Sequence, residues 1–476
     1  MRGMKLAILQ AFEGHFELLG FIVQYCISKG VHFEIFTWYE TSHNSIGGSL
    51  DEGKHWKRVF DDLFSGHALV WKSLEEYNKD DFTRTINLTS FNDKLNFDIT
   101  VVHAKSERVN SCTNIGVRKA IHQPWLLPVY SGISKEEKVL VRSKRVSVIL
   151  LGQTNTCTPI QILYKLFKNF NDIDFYYVNR FVQLQKVIPS NVYTRVNLNA
   201  SELIDLFKQS HYFFCLDHPT FEKDKMSCSI VHSLSYGSRL IIPKDWDYDI
   251  KTCVRYDLGK IDDSQMTLEV LPVEPVFEES RRYIENGTRV LDKVFSNFFL
   301  QVCAFIQKFP PRIFVETGTY KGDGIENVLD IFEEIHSIEL KEEFVHSARQ
   351  KFKDKQVYVH HGDSSQVLAK FVFQEPVLFY LDAHFSGGET AFGPQEDNGC
   401  PLLRELAVLG KRTEDDIVIV DDMRLMGKTS WGGVENDSMY PLTLYNFEHV
   451  TLENILKAYG RSCKYYMIGD RLVLHT

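Results

Sequence analysis

The strongest signal in the chain is an alternation. Short apolar runs take turns with segments whose apolar residues return every three or four positions. Lys5–Leu9, His32–Thr37, Phe97–His103, Val146–Leu151, Asp174–Val178, His211–Leu216 and Arg239–Pro243 have strand length and carry apolar residues at consecutive positions. Consecutive apolar positions predict strands covered on both faces, as in a parallel sheet. Between them, Phe16–Ser28, Trp56–Phe64, Pro159–Asn169, Ala200–Gln209 and Ser227–Tyr236 have helical spacing. Asn199 stands where a helix cap is needed, and Gly30 and Gly237 where helices must stop. The pattern predicts βαβ units with helices on both sheet faces. The basic stretch Lys135–Arg145 reads as a solvated segment.

From Leu268 to Glu279 the chain turns Pro- and Glu-rich and reads as a linker. Val290–Phe309 then has the spacing of an amphipathic helix, ended by Pro310-Pro311. A third α/β unit follows, with strands expected at Ile313–Val315, His336–Glu339, Val357–His360, Val377–Leu381 and Asp416–Val420. Helices are expected at Ile325–Glu333 and Phe344–Phe352.

The first strand of this unit runs into Glu316-Thr317-Gly318-Thr319-Tyr320-Lys321-Gly322-Asp323-Gly324. Glycines at such a turn let bare backbone approach a ligand. The spacing is Glu-x-Gly-x-x-x-Gly-x-Gly, whereas a dinucleotide fingerprint begins with glycine and reads G-x-G-x-x-G. That difference argues against an NAD-dependent oxidoreductase. Further acids close the later strands: Glu339, Asp363, Asp382 and the pair Asp421-Asp422. The carboxyl ends of strands are where open α/β sheets bind ligands. A carboxylate such as Glu339 can accept both hydroxyl protons of a ribose diol. Long loops, Ser386–Gly399 and Met423–Asn436, follow the fourth and fifth strands and suit an acceptor pocket.

Composition narrows the picture. A chain of 476 residues implies two or three domains. The net charge of −9 argues against a nucleic-acid footprint. Nine scattered cysteines without a C-x-x-C pair read as buried thiols in a reducing compartment. The N-terminus enters a strand at once, and no run is long and apolar enough to span a bilayer. The expected address is the cytoplasm, and the sequons at Asn87, Asn199, Asn286 and Asn436 then read as chance matches.

Over about residues 300–476 the order of strands, glycine turn and acids resembles class I S-adenosylmethionine-dependent methyltransferases. The resemblance implies that Glu316, Gly318, Tyr320 and Gly322 hold the methionine end of the cofactor. It also implies that Glu339 binds the ribose and that Asp363 lies near the adenine amine. Leu381-Asp382-Ala383-His384 with Val420-Asp421-Asp422 is similar to the metal-dependent sugar O-methyltransferases. There Asp382, Asp421 and Asp422 would bind Mg2+ or Mn2+, and His384 would be the general base beside Asp382. Such a base and a hard-ligand metal suit a sugar hydroxyl, a poor nucleophile at neutral pH.

Residues 1 to about 265 hold two Rossmann-like halves and resemble a compact GT-B glycosyltransferase of the GT4-like retaining type. Ser227–Pro243 is similar to the helix-Gly-strand segment that grips a nucleotide-sugar donor. The family's Glu-x7-Glu pair falls on Asp224 and His232 here. The resemblance further implies that Gly152 and Gln153 meet the diphosphate and that His15 faces the acceptor.

The expected fold is therefore α/β: two Rossmann-like halves (GT-B-like), followed by a class I methyltransferase Rossmann-like domain. The expected boundaries are 1–140, 141–265, a linker with an amphipathic helix over 266–309, and 310–476. The implied function is bifunctional glycan building, with glycosyl transfer from a nucleotide-sugar and metal-assisted O-methylation of an oligosaccharide. The alternative is a methyltransferase whose N-terminal module only docks glycan. Fusions of this kind resemble glycan-building enzymes of large DNA viruses of algae, which would make the cytoplasm that of a host.

Overall fold

The computed structural model describes the chain apart from residues 1–3, 11–15, 38–49, 89–98, 103–112, 117–125, 152–159, 180–187, 197, 216–227, 247, 258–265, 307, 309, 330 and 433–442. It is a mixed α/β protein of two compact units, Met1–Ser296 and Asn297–Thr476.

The first unit contains two six-stranded sheets. One has the order β3-β2-β1-β4-β5-β6, made of β1 (Lys5–Gln10), β2 (His32–Thr37), β3 (Trp71–Ser73), β4 (Arg84–Asn87), β5 (Ile99–Val102) and β6 (Thr113–Gly116). The other has the order β12-β11-β10-β7-β8-β9. It is made of β7 (Ser147–Leu151), β8 (Asp174–Asn179), β9 (Val192–Val196), β10 (Tyr212–Phe214), β11 (Arg239–Pro243) and β12 (Val254–Tyr256). All strand pairs in both sheets are parallel. Counted from its own first strand, each sheet runs 3-2-1-4-5-6, the doubly wound Rossmann order. The helix Ala200–Gln209 begins with a full capping box, Asn199 with Glu202, so two of its first backbone N–H groups find acceptors.

Two expectations for this unit change. The linker expected from Leu268 gives way at Glu274 to a helix that runs to Ser296 and buries Val276, Tyr283, Leu291, Val294 and Phe295. The reason is visible at Gly287, where a Cβ would lie 2.5 Å from the ring of Phe21. The missing side chain lets this helix lie directly on the helix Phe16–Lys29. The stretch expected to be solvated contains the helix Lys135–Val141, and Lys138 is fully buried. Its ammonium donates to Phe207 O and Ser210 O at 2.7 Å each and to Ser238 Oγ at 3.2 Å. The two carbonyls lie at the C-terminal end of the helix Ala200–Gln209, where a cation is favoured.

The second unit begins with the helix Phe298–Phe305 and builds one seven-stranded sheet, β15-β14-β13-β16-β17-β21-β20. Its strands are β13 (Ile313–Thr317), β14 (Glu334–Glu339), β15 (Val357–His361), β16 (Val377–Leu381), β17 (Ile417–Val420), β20 (Lys464–Ile468) and β21 (Arg471–His475). A separate ribbon pairs β18 (Thr429–Gly432) with β19 (Thr443–Asn446). The first five strands of the sheet are parallel, and the final hairpin adds β21 antiparallel to β17. Every residue of β13 and β17 is buried. Helices lie on both faces, over one core around Val315, Phe379 and Leu406 and another around Phe314, Leu378 and Ile419.

Register fixes what meets at the carboxyl edge. Thr317 pairs with Ile338 on one side and with Leu381 on the other, and Leu381 pairs with Val420. The next residues along, Glu339, Gly318, Asp382 and Asp421, therefore form one row across the sheet. The strand order reverses between β13 and β16, which opens a crevice at their carboxyl ends.

Candidate active site

The turn after β13 is built to bring two strand ends together. Gly318 has φ +88°, and a Cβ there would lie 2.5 Å from the carbonyl oxygen of Asp382. Glycine alone permits that approach at that φ. Gly318 N donates to Ile338 O at 2.9 Å. Tyr320 also has positive φ, 45°, and its backbone N donates to Glu339 Oε2 at 2.8 Å. Lys341 N donates to Glu339 Oε1 at 2.8 Å. Two backbone donors thus orient the Glu339 carboxylate and leave each oxygen a free lone pair.

Glu316 lies under this turn. It is buried, accepts from Ser337 Oγ at 2.6 Å, and would clash with any Cβ at Gly324, which would stand 2.2 Å from its Oε2. Burial raises its pKa from 4.5 to about 8, with the charges of Asp382 and Glu339 adding to the rise and the Ser337 hydrogen bond opposing it. The folded protein therefore keeps a proton that the unfolded chain releases. The sign is fixed: stability falls as pH climbs from about 4.5 to about 8. At ~1.36 kcal/mol per pKa unit the loss is on the order of a few kcal/mol. Glu316→Gln is expected to flatten this fall, seen as a smaller drop in Tm between pH 5 and pH 8 than in the parent protein. An equal drop in both would contradict it. Buried Glu405, raised to about 7 by its own burial, supplies part of the fall that remains.

Asp382 and His384 follow β16. Asp382 N donates to Thr317 Oγ1 at 3.2 Å. Burial raises the Asp382 carboxyl to about 7; His384 draws it down, while Asp421 and Asp422 push it up. The buried His384 ring stands between two carboxylates, with Nδ1 3.4 Å from Asp382 Oδ1 and Nε2 3.1 Å from Asp422 Oδ2. Burial alone would lower the imidazole pKa, but the hydrogen bond to Asp422 and the charges of Asp382 and Asp422 together raise it. Phe447 packs edge-on to the ring, with centroids 6.0 Å apart. Ligand atoms of Asp382, His384 and Asp422 lie within 4.8 Å of one another.

Asp421 is not part of that group. Tyr380 Oη donates to its Oδ2, and Arg471 reaches it with Nη2 at 3.2 Å and with Nε at 3.0 Å. Arg471 is itself stacked on Phe298, 4.3 Å from the ring centroid. Of the three carboxylates expected to bind a metal, Asp382 and Asp422 thus stand together around the imidazole of His384, while Asp421 is held by Tyr380 and Arg471. Asp422 gains this position from a left-handed backbone, φ 54°, and also pairs with Arg424. Arginine cations already offset both members of the acid pair, so charge repulsion alone does not call for a metal.

Part of this set opens onto one cavity of about 240 Å³, whose described lining includes neither Asp421 nor Asp422. Of the expected cofactor ligands, Gly318, Tyr320, Glu339 and Asp363 line it, as do Asp382 and His384. Glu316 and Gly322 stand outside the described lining; Gly322, with φ +82°, starts the helix Asp323–Val328. Asp363 caps the helix Ser364–Leu368 and is held by Arg404, whose guanidinium keeps the carboxyl below its ordinary pKa despite burial. Phe392 and Asp397 in the lining belong to the Ser386–Gly399 loop expected to shape the pocket, whereas Phe344 in the lining and the arginines Arg404, Arg424 and Arg471 that hold the strand-end acids were not singled out by the motifs. Arg404 lies 41 residues from Asp363 and Arg471 lies 50 residues from Asp421, so no local spacing could have flagged these two pairings.

In the first unit, His15, Gly152, Gln153 and Asp224 lie outside the described residues. His232 is buried in an aromatic cluster. Its ring stacks on Trp56 at 5.0 Å, and Nδ1 is 3.1 Å from Tyr130 Oη. That geometry gives the imidazole a packing role and does not support the expectation that it meets a donor sugar.

No protein-family model and no curated protein matches the chain. Among solved structures, the glycosyltransferase SnogD from Streptomyces nogalater aligns at 11% identity over 61% of this chain and 99% of its own, with a TM-score of 0.36. CalS10, an amino pentose methyltransferase from Micromonospora echinaspora solved with S-adenosylmethionine, aligns at 12% identity over 34% of this chain and 83% of its own, with a TM-score of 0.24. An S-adenosylmethionine-dependent methyltransferase from Clostridium acetobutylicum aligns at 12% identity over 40% of this chain and 96% of its own, with a TM-score of 0.25. Similarity at these scores carries no functional argument.

Proposed function

We propose that the second unit transfers a methyl group from S-adenosylmethionine to a sugar hydroxyl. One observation carries the reading: a single cavity has the Gly318 turn and the oriented Glu339 carboxylate on one side and Asp382 and His384 on the other. The first wall suits the ribose and the sulfonium-bearing chain of the cofactor. The second suits deprotonation of an acceptor. In the reaction the acceptor oxygen forms a bond to the methyl carbon as the carbon–sulfur bond breaks. Its electron pair goes to sulfur, and the hydroxyl proton passes to a His384 nitrogen. Rate comes mainly from alignment of oxygen, methyl and sulfur.

Asp382 and Asp422 are the residues that would hold a divalent cation, and two carboxylates suffice for Mg2+, which keeps several waters. When bound, such a cation lowers the pKa of the sugar hydroxyl. Incubation with methyl-labelled cofactor and oligosaccharide acceptors tests both parts. Label is expected in the acceptor, with the rate falling about ten-fold or more in EDTA and returning with Mg2+. Full activity in chelator would sink the metal part, and no transfer to any sugar acceptor would sink the substrate class.

For the first unit the proposed role is glycosyl transfer from a nucleotide-sugar to the same glycan. A second reading, a glycan-docking module without catalysis, is favoured by the enclosure of His232 at a donor-gripping position. Turnover of a nucleotide-sugar by the full chain separates the two.

A further inference from the structure

The glycine-rich segment after His384 closes on itself, Phe385 N donating to Gly399 O at 2.6 Å. Ser386 to Pro394 and Asp397 supply one side of the cavity. Two cations reach this segment from the side of the expected cofactor ligands. Lys341, whose backbone N orients Glu339, donates from Nζ to Glu389 O at 2.9 Å. Arg404, on the helix Leu402–Leu409, makes the larger connection. Its Nε lies 2.9 Å from both oxygens of Asp397, and Nη2 also meets Asp397 Oδ2. The same guanidinium donates from Nη2 to Asp363 Oδ2 at 2.7 Å, and from Nη1 to Asp363 Oδ1 at 3.2 Å and Ser365 Oγ at 2.6 Å.

We infer that Arg404 is a positioning residue for the cofactor: it clasps Asp397 of the glycine-rich segment to Asp363 of the opposite wall and so sets the width of the cavity. The inference rests on the cavity being the cofactor site. Its geometry is specific to arginine, because a planar fork can serve two carboxylates at once while an ammonium is a single point. Both acids are largely buried, with side chains 11% and 9% exposed. Without the guanidinium, two carboxylates that now share one nitrogen would face each other, and repulsion would drive the segment away from Asp363.

Three variants of the full chain, Arg404→Gln, Arg404→Lys and Asp397→Asn, test this by hydrogen exchange without ligand and by titration with S-adenosylhomocysteine. Arg404→Gln is expected to speed exchange across 386–399 selectively. It should also weaken binding and raise KM for the cofactor about ten-fold or more, with kcat at saturation nearly unchanged. Arg404→Lys should recover only part of the affinity, and Asp397→Asn should reproduce the exchange pattern if Arg404→Gln fails to fold. Exchange unchanged in 386–399, or raised evenly over the unit, would overturn the inference, as would full rescue by lysine. If the parent protein does not bind S-adenosylhomocysteine, the cofactor reading fails, and the exchange pattern still decides whether the clasp exists.

Discussion

His384→Gln is expected to lower kcat for methyl transfer by about 10²–10⁴-fold, the usual worth of a positioned general base. Glutamine nearly fills the imidazole's space against Phe447 and can still hydrogen-bond to Asp422, so the fold and the cofactor wall are left in place. What it lacks is a nitrogen able to take a proton. The ring's position makes the loss specific. Asp382 and Asp422 flank it at 3.4 and 3.1 Å and hold it in the lining of the same cavity as Gly318 and Glu339. Single-turnover rates with labelled cofactor measure the effect directly. A variant retaining more than about a third of the parent rate would remove His384 from the chemistry.

Gly318→Ala is expected to destabilise the second unit by about 2–4 kcal/mol and to weaken S-adenosylhomocysteine binding by more than about ten-fold. A left-handed φ of +88° costs alanine about 1–2 kcal/mol. The added Cβ also meets the Asp382 carbonyl at 2.5 Å, and this backbone, tied to Thr317 O through the Asp382 N–H at 3.2 Å, cannot move aside as a side chain could. Relief must come from parting the ends of β13 and β16, which shifts Asp382 and the turn together. Thermal unfolding and calorimetric titration report the two effects separately. A variant with unchanged Tm and unchanged affinity would contradict the account of the turn.

The parallel-sheet architecture was legible because strands buried on both faces write themselves as unbroken apolar runs, as in Ile417–Val420 and Val377–Leu381. The strand-end acids were legible for the same reason, since a carboxylate after such a run marks the sheet edge. The division of labour within Asp421-Asp422 was not. Neighbouring residues at a strand end point to opposite sides, and only the structure shows that Arg471, arriving on the last strand, takes Asp421 while Asp422 turns to His384. The burial of Glu316 was not legible either: its place in the motif implied a ligand, and the structure sets its carboxylate in the space that Gly324 leaves beneath the turn. Lys138 and the helix Glu274–Ser296 were hidden by composition, because basic and Pro/Glu-rich stretches usually stay in water. Their burial depends on partners far along the chain, Phe207, Ser210 and Phe21.

The most direct test of the central claim is the titration of S-adenosylhomocysteine into the full chain, with Gly318→Ala in parallel. The account predicts saturable one-to-one binding to the parent protein and a large loss in the variant. No binding to the parent, or equal binding to both, would contradict it.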